Sequence, residues 1–98
     1  MTQPSISVVL PAFNEEAVIG ATVAAVVEFL QTITSDYEVI VVNDGSRDNT
    51  RSVVDVLSVT DPLIRCVSHE QNRGYGAALG TGFEAARRDL AYARLFLG

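Results

Sequence analysis

A chain of 98 residues, 48% of them hydrophobic and 19% charged, has the composition of a single globular domain with a modest core. Its formal net charge of −5 leaves no basic footprint for nucleic acid and no cationic helix for a membrane surface. All seven basic residues are arginine, so a P-loop and Schiff-base chemistry are both excluded within this stretch.

Residues 1–5 carry no basic segment leading into an apolar one, so no secretory signal is expected. Residues 6–10 (ISVVL) are β-branched, end at Pro11 and predict a first strand. Residues 15–33 predict a helix with Ile19, Val23, Val26, Leu30 and Ile33 on one apolar face. Asn14 is its expected cap, with Glu15 and Glu16 favourably placed in the first turn. Residues 39–42 (VIVV) predict a second strand, bounded by Asn43-Asp44-Gly45. Neither run alternates, which suits strands buried on both faces, as in a parallel sheet.

Residues 48–59 predict a second helix, capped by Asp48 or Ser46, with Val53, Val56, Leu57 and Val59 turned inward. After the Asp61-Pro62 turn, residues 63–67 predict a third strand, in which Cys66 reads as a small buried hydrophobe. One cysteine makes no disulfide framework and suits a reducing compartment. Residues 76–88 predict a third helix, rich in Ala and Gly, with Arg87 and Arg88 complementing the dipole of its last turn. Residues 94–97 are expected to form a fourth strand. The longest apolar runs are far short of the ~20 residues that span a bilayer. A cytoplasmic chain is expected, or one at the cytoplasmic face of a membrane within a longer parent.

This order predicts an α/β fold: a three-layer, mostly parallel, Rossmann-like sheet with right-handed crossovers and helices on both faces. The first strand or residues 94–97 would hold an unpaired edge, an association hazard. In such sheets ligands bind beyond the carboxyl ends of the strands. The polar residues gather there: 11–16, 43–46 and 68–74. A dinucleotide fingerprint is missing, because the first loop has no glycine and Leu79 breaks the pattern begun at Gly74. What is left is recognition of base and ribose by carboxylates. Asp44 could shape a turn but is read as a ligand-binding carboxylate, Glu16 reads as an ordinary first-turn carboxylate, and Arg73 divides between pocket and surface. His69 has no evident Ser or Cys partner and reads as a loop residue bonded to backbone.

The segments SVVLPAFNEE, EVIVVNDGSRDNT and HEQNRGYGAALGTGF, in this order and at strand ends, together resemble the N-terminal half of family 2 glycosyltransferases. The likeness is greatest to the polyprenyl-phosphate mannosyl and glucosyl transferases. It implies a GT-A fold, a UDP- or GDP-linked sugar donor, transfer of a hexose to an acceptor of the polyprenyl-phosphate (lipid-phosphate) class, and Mg²⁺ or Mn²⁺ bridging the donor diphosphate. It places Pro11, Phe13 and Glu15 at the floor and edge of the nucleoside pocket, with Val42 and Asp44 at the base. Arg73 would approach the base or the diphosphate, and Gly74 and Gly76 would let the backbone turn beneath the nucleotide. Asn43 stands where the family commonly has Asp. The family's Asp-x-Asp metal motif follows the fourth strand and is not found in residues 1–98. Residues 1–98 are therefore expected to be an incomplete, nucleotide-binding part, with no catalytic residue and no metal ligand assigned. The alternative is a non-catalytic nucleotide-binding module or an inert piece. A signalling receiver domain is disfavoured by Pro11 and the lack of lysine.

Overall fold

The β-branched runs at 6–10 and 39–42 form strands, as expected, but both run further. The computed structural model describes residues 3–87 and 91–94. β1 spans Ile6–Ala12, α1 Ile19–Gln31, β2 Tyr37–Asp44, α2 Thr50–Thr60, β3 Ile64–His69, α3 Tyr75–Ala85 and β4 Ala91–Arg94. All strand pairs are parallel, in the order β3-β2-β1-β4. β1 is thus an inner strand and not an edge; β3 and β4 are the outer strands of the described sheet. The fourth strand begins three residues earlier than expected, and 95–97 lie outside the described residues.

Alternation along the inner strands divides the apolar residues between two faces. Val8, Leu10 and Ala12 join Val39 and Val41 beneath α1 and α2. Val9, Ile40 and Val42 face α3 through Ala78 and Leu79. With helices on both faces, Val9, Ile40 and Val42 are fully buried, which explains the unbroken apolar runs. Gly82 sets the depth of the α3 layer: an added Cβ would lie 2.2 Å from Val9 Cγ1.

The helix boundaries and one face differ from expectation. α1 begins at Ile19 because Asn14 takes a left-handed φ of 52° and no side chain caps the helix. Ile19, Val23, Val26 and Leu30 are buried, whereas Ile33, past the helix end, is exposed. α2 turns Thr50 and Val54 inward, flanked by Val53 and Leu57. Val56 and Val59 sit roughly 200° round the helix from Val54 and Leu57 and are exposed. The N-cap of α2 is Asn49, without a side-chain cap bond, and neither Asp48 nor Ser46 holds that position. Asp48, one residue earlier, accepts the Thr50 N–H through Oδ1 at 3.0 Å, and Ser46 Oγ accepts the Asn14 N–H. Cys66 packs against the α1/α2 core, and burial pushes its thiol pKa up.

α3 stops at Ala85, so Arg87 lies beyond its last turn. The reason is a buried acid at the amino end of the sheet. Glu38 accepts bonds from Ser7 Oγ at 2.7 Å, the Arg65 guanidinium at 2.7 Å and the Arg87 N–H at 2.6 Å. The Arg65 guanidinium also donates to the Ala85 carbonyl. The helix end and the segment after it are therefore held by one ion pair. Arg88 lies outside the described residues.

Candidate functional site

At the carboxyl edge of the sheet three loops are joined by bonds that use main-chain donors. The Asn14 N–H donates to Ser46 Oγ at 2.9 Å, and Asn14 Oδ1 accepts the Arg47 N–H at 2.8 Å. The left-handed turn at Asn14 makes this reciprocal pair, in place of the helix cap expected from sequence. The Glu15 N–H donates to Thr50 Oγ1 at 2.9 Å, and the Glu16 N–H to Asp48 Oδ2 at 3.2 Å. Asn43 donates through Nδ2 to Ser68 Oγ at 3.2 Å, a bond an ionised aspartate could not make. Gly45 has φ 72°, and a Cβ there would lie 2.4 Å from the Asn72 nitrogen. Only glycine lets the second and third loops approach this closely.

Asp44, the last residue of β2, is the centre of the arrangement. Its Oδ1 accepts the Arg73 N–H and faces His69 Nδ1 at 2.8 Å; its Oδ2 accepts the Gly74 N–H at 2.9 Å. Burial pushes the carboxyl pKa up, but the Arg73 N–H, His69 and the Gly74 N–H together outweigh it and hold the group below the usual aspartate value. His69 ends β3 directly opposite Asp44 in the register and is buried. Its Nε2 lies 2.7 Å from Thr81 Oγ1 in α3. His69 is therefore not a loop residue bonded to backbone: it links a carboxylate to a hydroxyl.

Two neighbouring clefts open here. The smaller, about 190 Å³, is lined by Pro11, Phe13, Glu15, Asp44, Gly74 and Tyr75 among others. The larger, about 510 Å³, lies between Asn14, Gly45–Arg47 and Glu70–Asn72. Phe13, 44% exposed, lines both. Pro11, Phe13, Glu15 and Asp44 thus meet at one cleft. Val42 does not join them, because its side chain is fully buried beneath α3. Arg73 contributes its N–H to Asp44, while its exposed side chain lines neither cleft. The Glu15 carboxylate makes no hydrogen bond or ion pair among the described residues, so its acceptor capacity is unspent. Tyr75, at the first position of α3, is a lining residue that sequence reasoning missed. Its signal in the sequence is an aromatic set between two glycines, Gly74 and Gly76, just after the third strand.

Mg²⁺ or Mn²⁺ is a different matter. Among the described residues no three His, Cys, Asp or Glu side chains converge to hold a metal ion. The described residues do not fit that group.

A parallel sheet in this strand order, with a cleft beyond the carboxyl ends of β1 and β2 and at the start of the crossover helix α3, defines a Rossmann-like α/β unit. The chain belongs to glycosyl transferase family 2, whose sequence profile matches residues 7–95. It is 39% identical over 84 residues to a prophage bactoprenol glucosyl transferase homolog of Escherichia coli, covering 86% of this chain and 28% of that protein. A mannosyltransferase from Pyrobaculum calidifontis, solved with GDP-Man and Mn²⁺, superposes with a TM-score of 0.81 at 28% identity, over 93% of this chain and 27% of that one. Glucosyl-3-phosphoglycerate synthase from Mycobacterium tuberculosis, solved with Mn²⁺, UDP and its product, gives a TM-score of 0.67 at 30% identity, over 93% of this chain and 33% of that one. The fold is that of the first part of a GT-A domain. The chain spans about 28% of the length of the first of these relatives.

Proposed function

We propose that the cleft between Phe13, Glu15, Asp44 and Tyr75 binds the nucleoside of a UDP- or GDP-linked sugar, as the donor half-site of a hexosyltransferase. The observation that carries this reading is the meeting of Pro11, Phe13, Glu15 and Asp44 at one cleft, at the sheet edge where such folds take ligands. Phe13 offers an exposed ring for a base to stack on. Glu15 offers a carboxylate to ribose hydroxyls or a base N–H, and charge-assisted bonds of this kind are the stronger ones. Asp44 has three of its roughly four acceptor positions filled from within the chain. The position left on Oδ2 suits one base N–H. The side chain of Arg73 reaches the donor only if it swings in from the surface.

Family membership supports transfer of a hexose, and the bactoprenol relative supports a polyprenyl-phosphate acceptor. The Mn²⁺-bound neighbours support a divalent cation on the donor diphosphate, held by residues other than those described. We place the reaction on the cytoplasmic side of a membrane, where a nucleotide-sugar and a lipid phosphate can meet. Nucleotide titration tests the site. UDP or GDP should shift the amide signals of Phe13, Glu15 and Gly74, and F13A and E15Q should each weaken binding by about tenfold. Unchanged spectra at millimolar UDP and GDP would refute it.

A further inference from the structure

His69 is the buried titratable group that the donor reading leaves unused. It occupies the only route by which α3 reaches the Asp44 carboxylate through side chains among the described bonds: Thr81 Oγ1 to His69 Nε2 at 2.7 Å, then His69 Nδ1 to Asp44 Oδ1 at 2.8 Å. The polarity of the chain follows from the chemistry at its ends. An ionised carboxylate only accepts, so Nδ1 carries the proton, and in the neutral ring Nε2 accepts the Thr81 O–H. Asp44 in turn receives the Arg73 and Gly74 N–H groups. Gly74, at φ 95°, opens α3 and lines the smaller cleft.

We propose that His69 is a positioning residue: its Nδ1–H fixes the Asp44 carboxylate in the orientation that clasps the Arg73–Gly74 backbone and so sets the wall of the smaller cleft. It touches neither cleft and takes no part in proton transfer to a ligand. Its consequence for binding rests on the nucleotide reading above; the clasp itself does not.

Two conservative replacements separate this role from space filling. In H69N the amide nitrogen stands where Nδ1 stood, so a donor to Asp44 is kept. In H69Q the amide reaches instead to the Nε2 position, filling more volume but leaving Asp44 Oδ1 without that donor. Hydrogen exchange of the Arg73 and Gly74 amides should be unchanged in H69N and faster by about tenfold in H69Q and H69A, as expected for loss of one bond to a charged group. Amides of Val41 and Val42 in the same samples report that the sheet is intact. A long-range ¹H–¹⁵N spectrum of the unaltered chain should show the Nδ1–H form of His69, a readout that needs no variant to fold. An Nε2–H form, or H69Q protecting the two amides as well as H69N, would overturn the assignment. UDP and GDP titrations of the same proteins should rank in the same order. If the unaltered chain binds neither nucleotide, the donor reading fails while the exchange ranking still decides the role of His69.

Discussion

Asp44 illustrates how a buried carboxylate can serve as framework. It is 4% exposed and holds three donors, two of them main-chain N–H groups of the third loop. In D44N one oxygen becomes an amide that cannot accept the second of these bonds. The expected cost is roughly 1–3 kcal/mol, the penalty for stranding a buried donor. Chemical denaturation of D44N against the parent chain measures it. The pH dependence follows from the lowered pKa. A group whose folded pKa lies below its unfolded value of 3.8 contributes stability that is fully present above that value. The contribution is lost as pH falls through the lower, folded pKa. Exchange of the Gly74 amide, corrected for its intrinsic rate, should therefore hold level from neutrality to about pH 4 and accelerate only below it. Acceleration beginning well above about pH 4 would contradict this role for the Asp44 carboxylate.

At the level of elements, packing is tightest where α3 crosses the sheet. Gly82 places its Cα against Val9 and Val42, with no room for a methyl group. G82A should destabilise the chain by about 1–3 kcal/mol through overpacking. Because the obstructing atoms belong to a side chain, V9A in the same molecule should recover part of that loss. A double-mutant cycle of melting free energies measures the coupling, and strict additivity would contradict the contact. The strands were legible in sequence because β-branched runs between turn residues have few other uses. The start of α1 and the end of α3 were not, since each depends on a partner distant in sequence. Asn14 reads as a cap by local chemistry, yet Ser46 and Arg47 draw it into a left-handed turn. The face of α2 was misjudged because apolar residues lie on both sides of that helix, and periodicity alone does not say which side meets the sheet. Four residues that line the smaller cleft could be read from motif position, whereas Val42 lies in the core beneath α3. Its place in a strand-end motif concealed the inward half of the alternation. His69 was missed because β3 was ended at residue 67. Two further residues bring it level with Asp44, and parallel register then pairs them.

For the molecule as a whole, β3 is an outer strand of the described sheet, and α2 beside it presents Val56 and Val59, 68% and 84% exposed. Phe29 on α1 is 63% exposed. Open strand edges and exposed apolar side chains favour association. Sedimentation velocity over a range of concentrations should show reversible self-association of the 98-residue chain, reduced in V56E/V59K. A single monomeric species at every concentration would contradict this.

The stitching of the loops has an evolutionary consequence. Asn14, Glu15, Arg47, Arg73 and Gly74 all enter it as main-chain donors. Asn14 also lends its own side chain, and Gly74 is constrained by its backbone angle. The side chains of Glu15, Arg47 and Arg73 carry none of the architecture. A lineage can exchange them while the scaffold of small acceptors beneath them stays unchanged.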